Sequence, residues 1–334
     1  MINLDLNNIK KTFIIAEIGI NHEGSIIKCK KLIKNAAKAG ADAIKLQTVN
    51  VNESYDINTS SYNTFIQKDF SNKEMKELKK FSEKNKVLFF STPGDISSLH
   101  RLIKIGVKFI KFSSGLMNHY PLIKEAAKFK KSLIISTGLS TQRDLIELKN
   151  FLKKSKINNY AILKCTSQYP AQSENLNLKS LTYLKKLFKK TIGYSDHTTG
   201  LIAPVIAVTL GAKIIEKHIT LNSKKKGADH KISLEYLEFK KMVNLIRETE
   251  NITKDQKFFL PKELKKSRLI SRRYIFTKNK IKKGELLTIK NLCFKRTSKK
   301  IKAMEPKEFF LINKRKSKFN LDRGIILKKS HYSI

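Results

Sequence analysis

The stretch Thr12-Phe13-Ile14-Ile15-Ala16-Glu17-Ile18 decides the fold. It is apolar on both alternating faces until Glu17, which suits a parallel strand covered by helices on each side. Ser25 then offers a helix N-cap, and Ile26, Cys29, Leu32, Ile33, Ala36 and Ala37 recur at helical spacing with lysines between them. Gly40 follows as a stop signal, and a second apolar run, Ala43–Gln47, begins soon after it. Strand, helix and strand make one βαβ unit.

The unit repeats along the chain. Further strands are expected at Val87–Thr92, Phe109–Ser113, Ser132–Ser136, Tyr160–Cys165, Thr191–Ser195 and Lys213–Glu216. Amphipathic helices are expected at Lys73–Asn85, Ile96–Ile105, Pro121–Lys130, Thr141–Lys154, Leu178–Phe188, Leu201–Leu210 and Leu234–Glu248. This α/β succession of eight strand–helix units predicts a (β/α)8 TIM barrel over residues 1–250. A doubly wound open sheet is the alternative, but it uses fewer strands, and no G-x-G-x-x-G follows the first one. Asn251–Ser267 is polar, contains Pro261 and reads as a linker. Residues 268–334 combine short strands, Lys-Gly turns and small apolar clusters, so a small, mostly-β second domain is expected there, near the lower size limit for independent folding.

The 334-residue chain carries 69 Lys and Arg against 28 Asp and Glu, a formal net charge of +41. Lysine runs through the whole chain, and no nucleic-acid motif accompanies it, so no nucleic-acid partner is expected. The positive field still helps to collect anionic substrates. No run of about 18 uncharged apolar residues occurs, and the opening Met1-Ile2-Asn3-Leu4-Asp5 lacks a signal-peptide pattern, so neither a membrane span nor export is expected. Cys29, Cys165 and Cys293 are far apart, which fits reduced thiols in a cytoplasmic protein.

All the expected strands end in polar or ionisable residues, and in a barrel those ends converge on one face. Lys45 and Lys111 are cations inside apolar strands, which costs free energy unless an anion meets them. Thr92, Ser114, Ser136 and Ser195 add hydroxyl donors, and the set describes a pocket for phosphate and carboxylate. Each lysine taken alone could instead pair with Glu17 or Glu216. His197 and His218 end adjacent strands, with Asp196, Glu216, Asp229 and Glu17 nearby; they read either as an open divalent-metal site or as structural histidines. Cys165 ends an apolar strand with no base beside it in sequence, and packing is its expected role.

These residues fall within longer motifs. Phe13-Ile-Ile-Ala-Glu-Ile-Gly-Ile-Asn-His-Glu-Gly24, Ala39-Gly-Ala-Asp-Ala-Ile-Lys-Leu-Gln-Thr48, Ser91-Thr-Pro93, Ser136-Thr-Gly138, Cys165-Thr-Ser-Gln-Tyr-Pro170, Gly193-Tyr-Ser-Asp-His-Thr198, Ile215-Glu-Lys-His218 and Gly227-Ala-Asp-His230 resemble the sialic acid synthase family in order and spacing. The family includes synthases of N-acetylneuraminate, legionaminate and pseudaminate. The tail, with Arg272-Arg273, Ile281-Lys-Lys-Gly-Glu-Leu-Leu287 and Asn291–Arg296, is similar to the family's antifreeze-like SAF domain.

The resemblance implies a synthase that condenses phosphoenolpyruvate with an N-acetylated amino-sugar aldehyde. Lys45, Thr92, Lys111, Ser114, Ser136, Ser167 and Ser195 would contact phosphoenolpyruvate. Gln47, Tyr169, Asp229 and Arg296 would face the sugar, and His197 and His218 would hold Mn2+ or Mg2+. Glu17, Lys45 and Lys111 would be catalytic. It also implies a homodimer in which each tail packs over the partner's barrel. The chain departs from the family pattern at Leu116, where many members have Glu, and at Thr297-Ser298-Lys299-Lys300, where Pro-Gly and a glycine-containing turn are usual. Two other classes compete: an aldolase using a Schiff-base lysine at Lys111 or Lys164, and a non-catalytic carbohydrate-binding protein.

Overall fold

The structure is a computed structural model that describes residue 6 and residues 8–66, 68–227, 229–254, 258–297 and 303–333. Eight parallel strands close into a barrel in chain order: β1 (Phe13–Gly19), β2 (Ala43–Thr48), β3 (Leu88–Pro93), β4 (Phe109–Phe112), β5 (Ser132–Ser136), β6 (Tyr160–Cys165), β7 (Ile192–Asp196) and β8 (Ile214–His218). The helices are α1 (Ile26–Ala39), α2 (Val51–Ser54), α3 (Ser60–Phe65), α4 (Asn72–Lys84), α5 (Ile96–Ile105), α6 (Tyr120–Lys128), α7 (Gln142–Lys154), α8 (Ser180–Phe188), α9 (Ile202–Thr209) and α10 (Tyr236–Ile252). The eight-unit barrel expected from the sequence is the observed fold.

Local chemistry sets the element ends. Ser25 Oγ accepts the Lys28 N–H at the start of α1, and Gly40 ends it with a left-handed φ of 93°. Cys29, Leu32, Ile33 and Ala36 bury the face of α1 that packs on the barrel. Strand β8 runs further than expected: His218 stays in the ladder opposite Glu17 of β1, because the β1–β8 pairing continues to that point. Burial on both sides keeps polar residues in regular strand geometry here. The β2–α4 connection holds the short helices α2 and α3, capped by the side chains of Asn50 and Thr59.

The chain divides into two compact units, Met1–Lys254 and Asp255–Ile334. The second contains helix α11 (Leu264–Ser271), an antiparallel pair of β9 (Tyr274–Thr277) and β10 (Leu292–Lys295), and the short helix α12 (Phe309–Ile312). Its own core gathers Ile275, Ile281, Leu287, Leu292, Met304, Ile312, Leu321 and Leu327. Within the expected linker, α10 extends to Ile252, and α11 crosses the expected boundary at Ser267. Among the described residues no helix is long and apolar enough to cross a membrane.

Candidate active site

The strand ends open into a cavity of about 560 Å3 at the C-terminal face of the barrel. Parallel register brings its ionisable groups together: Glu17 lies beside Lys45 of β2 and His218 of β8, and Ser195 beside Glu216. Lys45 Nζ is 2.7 Å from Glu17 Oε2, 3.8 Å from Glu216 Oε2 and 3.1 Å from Thr92 Oγ1. Lys111 Nζ is 3.4 Å from Glu216 Oε1, which also accepts from Ser195 Oγ at 2.8 Å. All four charged residues are at most 4% exposed. The two lysines therefore pair with the two carboxylates.

Burial separates these groups electrostatically. Desolvation pushes the Glu17 carboxyl up to about 7, against Lys45 and with help from Glu216. The same desolvation acts on Glu216, but Lys111 and Lys45 together outweigh it and hold that carboxyl down. Lys111 is lowered by burial despite Glu216, whereas Glu17 and Glu216 overcome burial and raise Lys45.

Hydroxyl groups line the wall nearby. Ser114 Oγ accepts the Gly138 N–H at 2.8 Å. A Cβ at Gly138 would stand 2.5 Å from Ser167 Oγ and 2.7 Å from Ser114 Oγ. Glycine is thus what lets those serines converge. The imidazoles of His197 and His218 lie 5.4 Å apart between centroids, and Tyr169 stacks on His197 at 4.2 Å. His197 Nδ1 donates to the Thr166 carbonyl at 2.9 Å, so in the neutral ring Nε2 carries no proton and is able to ligate. His218 Nδ1 is 3.6 Å from Asp229 Oδ2, and burial together with His197 and the lysines keeps its pKa well below the usual histidine range.

Ser136 Oγ, Glu216 Oε2 and His218 Nδ1 are buried here without a hydrogen bond, and Glu17 Oε2 is held by the Lys45 ion pair alone. All four residues line this one cavity. Proteins rarely leave buried polar groups unpaired, so their concentration here marks a surface shaped for a polar ligand.

The cavity brings together Glu17, Lys45, Gln47, Thr92, Lys111, Ser114, Ser136, Ser167, Tyr169, Ser195, His197 and His218. Asp229 lines an adjoining cavity that shares Tyr169. Arg296 follows β10 in the second unit and is exposed; of the loop after it, 298–300 lie outside the described residues. Two expectations change. Cys165 does have an imidazole beside it, His197 Nδ1 at 3.7 Å, contributed by the next strand; that nitrogen donates its proton to the Thr166 carbonyl. Lys164 points away from the cavity lining, its Nζ bound to the Cys165 carbonyl at 2.7 Å. The sequence reading understated Glu216, which alone contacts both lysines and Ser195, and it missed Ser54 and Tyr55, which line the cavity from α2 and its end.

The model of the NeuB family matches residues 32–258. The chain belongs to the NeuB family. N,N'-diacetyllegionaminic acid synthase of Campylobacter jejuni is 38% identical over 90% of this chain and 95% of its own length. A pseudaminic acid synthase of the same species is 36% identical over 98% of both. The crystal structure of N-acetylneuraminic acid synthetase from Leptospira borgpetersenii superposes with a TM-score of 0.73 at 34% identity, covering 78% of this chain and 91% of that one. Within this NeuB-family barrel, Leu116 lines the cavity as an apolar contact.

Proposed function

We propose that the chain joins phosphoenolpyruvate to the open-chain aldehyde of an N-acetylated amino sugar, giving a nonulosonic acid and phosphate. The observation that carries this reading is the pair of buried lysines, Lys45 and Lys111, that share one cavity with the hydroxyls of Thr92, Ser114, Ser136 and Ser195. A multiply charged anion would pair with these ammonium and hydroxyl donors, and the relatives are named as synthases of this product class.

In this reading Lys45 and Lys111 turn from the carboxylates toward the phosphate and carboxylate of the substrate. Thr92, Ser114, Ser136, Ser167 and Ser195 fix its orientation, so the barrier falls mainly by positioning and electrostatics. C3 of phosphoenolpyruvate forms a bond to the aldehyde carbon. Water then adds at C2, the C2–O bond to phosphorus breaks, and phosphate leaves with the electron pair. Glu17, with a carboxyl near neutrality, moves a proton in this sequence. Gln47, Tyr169, Asp229 and Arg296 read the amino sugar. Arg296 belongs to the tail, which we assign as a SAF domain, and it reaches the partner's sugar site in a homodimer with exchanged tails.

His197 and His218 would hold a divalent metal, Mn2+ or Mg2+. The free His197 Nε2 and the unpaired His218 Nδ1 fit that role. Among the described residues no three His, Cys, Asp or Glu side chains are placed to cage an ion; a site on the two histidines would be completed by water or substrate oxygen. When bound, the metal would supply Lewis-acid polarisation of the aldehyde.

The test is mass spectrometry of phosphoenolpyruvate with a panel of N-acetylated hexosamines, including 2,4-diacetamido sugars, with and without Mn2+. A nonulosonic acid and stoichiometric phosphate are expected. No product from any acceptor would overturn the proposal. A Schiff-base aldolase has one observation in its favour, the lowered Lys111. Borohydride trapping with pyruvate separates the two: a stable adduct on Lys111 supports the aldolase.

A further inference from the structure

Asn21 leaves β1 at the mouth of the barrel, and none of the roles above uses it. Its side chain is buried, and its amide oxygen and both amide hydrogens are engaged. Oδ1 accepts the main-chain N–H of Asp229 at 3.1 Å. Nδ2 donates to the Ile219 carbonyl at 3.0 Å and to Ser233 Oγ at 2.8 Å. Ser233 Oγ in turn donates to the Asp229 carbonyl at 2.6 Å. Both peptide groups of Asp229 are therefore held through one side chain, 208 positions away in sequence. The pattern needs one acceptor and two donors on a short planar group, which is an asparagine amide. Aspartate lacks the donors, and glutamine sets the amide one methylene too far out.

A second link runs in parallel. Glu23 pairs with Lys225 and, at 3.3 Å, with His230, two residues that flank Asp229 in sequence. The loop after β8 is thus fastened to the loop after β1 as well as to its own strand. The carboxylate so fixed is the one 3.6 Å from His218.

We propose that Asn21 is a positioning residue for the acceptor half of the reaction: by holding the Asp229 main chain it keeps the Asp229 carboxylate beside His218, where the amino sugar is read. The inference rests on the acceptor-site reading above. Losing such a buried network costs affinity for the partner that depends on it and leaves the phosphoenolpyruvate contacts alone.

The test compares the full-length wild type with Asn21→Ala by phosphate release, varying each substrate at saturation of the other. The expected result is a fall of about 10- to 100-fold in kcat/KM for the acceptor, with KM for phosphoenolpyruvate changed by less than about twofold. Equal losses for both substrates overturn the proposal. In an Asp229→Ala background, Asn21→Ala should alter the acceptor constant by less than about twofold, because its route is already gone; additive losses overturn it. Ser233→Ala is the milder variant should Asn21→Ala fold poorly, with the same acceptor-selective direction expected and an unselective loss counting against the proposal. Hydrogen exchange over 219–233 in the substrate-free enzyme should quicken by about tenfold or more in Asn21→Ala, and unchanged exchange removes the clamp. A wild type that releases no phosphate with any acceptor sinks the acceptor reading itself, while the exchange result still decides whether the clamp exists.

Discussion

Glu17 and Glu216 share one cavity yet sit on opposite sides of the ordinary glutamate range. Glu17 has one lysine beside it, which does not offset burial; Glu216 has two lysines and a serine hydroxyl, which do. The consequence for stability follows by linkage. Glu17 is raised from 4.5 to about 7, so the folded state prefers its proton. That stabilisation is full below pH 4.5 and is lost as the pH rises toward 7. Glu216 is lowered to about 2, so its stabilisation is present above 4.5 and is lost as the pH falls toward 2. Urea unfolding at pH 5 and pH 8 should therefore show the wild type losing stability toward pH 8, and Glu17→Gln losing markedly less. Identical pH slopes in the two proteins would refute the Glu17 assignment. At the same scale, His218→Ala should reduce metal-dependent phosphate release by more than about 100-fold; full activity in that variant removes the metal assignment. Most of these residues were legible in the sequence because a polar side chain stands out at the end of an apolar parallel strand. Glu216's double pairing and the approach of His197 to Cys165 were not legible, since both depend on what the neighbouring strands bring across.

Elements show the same contrast in their glycines. A Cβ on Gly193 of β7 would meet the Ile214 carbonyl oxygen and Leu163 Cδ2 at 2.5 Å, between two strands that have no room to move. Gly193→Ala should cost about 3 kcal/mol or more, or prevent folding, as measured by thermal or urea unfolding. Gly138, after β5, meets serine hydroxyls that can rotate away, so Gly138→Ala should fold with a much smaller loss. It would instead crowd Ser114 and Ser167 and raise the KM for phosphoenolpyruvate. Equal destabilisation by both substitutions would show that the serine cluster is packing rather than a binding wall. The strands and long helices were readable from periodicity, with most ends shifted by a residue or two and the end of α10 by four. The helices α2 and α3 were not, because their 4 and 6 residues are too short to show a repeat. The lysines also find a structural place at this scale: Lys38, Lys84, Lys104, Lys128 and Lys185 fall in the last turns of their helices. There each opposes the partial negative charge of the helix end, an effect of about 0.3–1 kcal/mol.

For the molecule as a whole, two units with separate cores raise the question of whose barrel the tail serves. Only the family resemblance implies an exchanged tail, since nothing in periodicity or spacing fixes where a tethered unit docks. Mixing two defective chains settles it. His218→Ala disables the barrel site but keeps Arg296; Arg296→Ala weakens the sugar contact but keeps an intact barrel. If tails are exchanged in a dimer, a mixed pair has one barrel without His218 served by a tail without Arg296, and one intact barrel served by an intact tail. Random exchange makes about half of the dimers mixed, each with one working site, so activity should return to about a quarter of wild type. If each tail serves its own barrel, no combination of the two chains contains a complete site, and mixing restores nothing beyond the average of the parents. Size-exclusion chromatography of the mixture before and after subunit exchange distinguishes a failure to dimerise from a tail that stays with its own barrel.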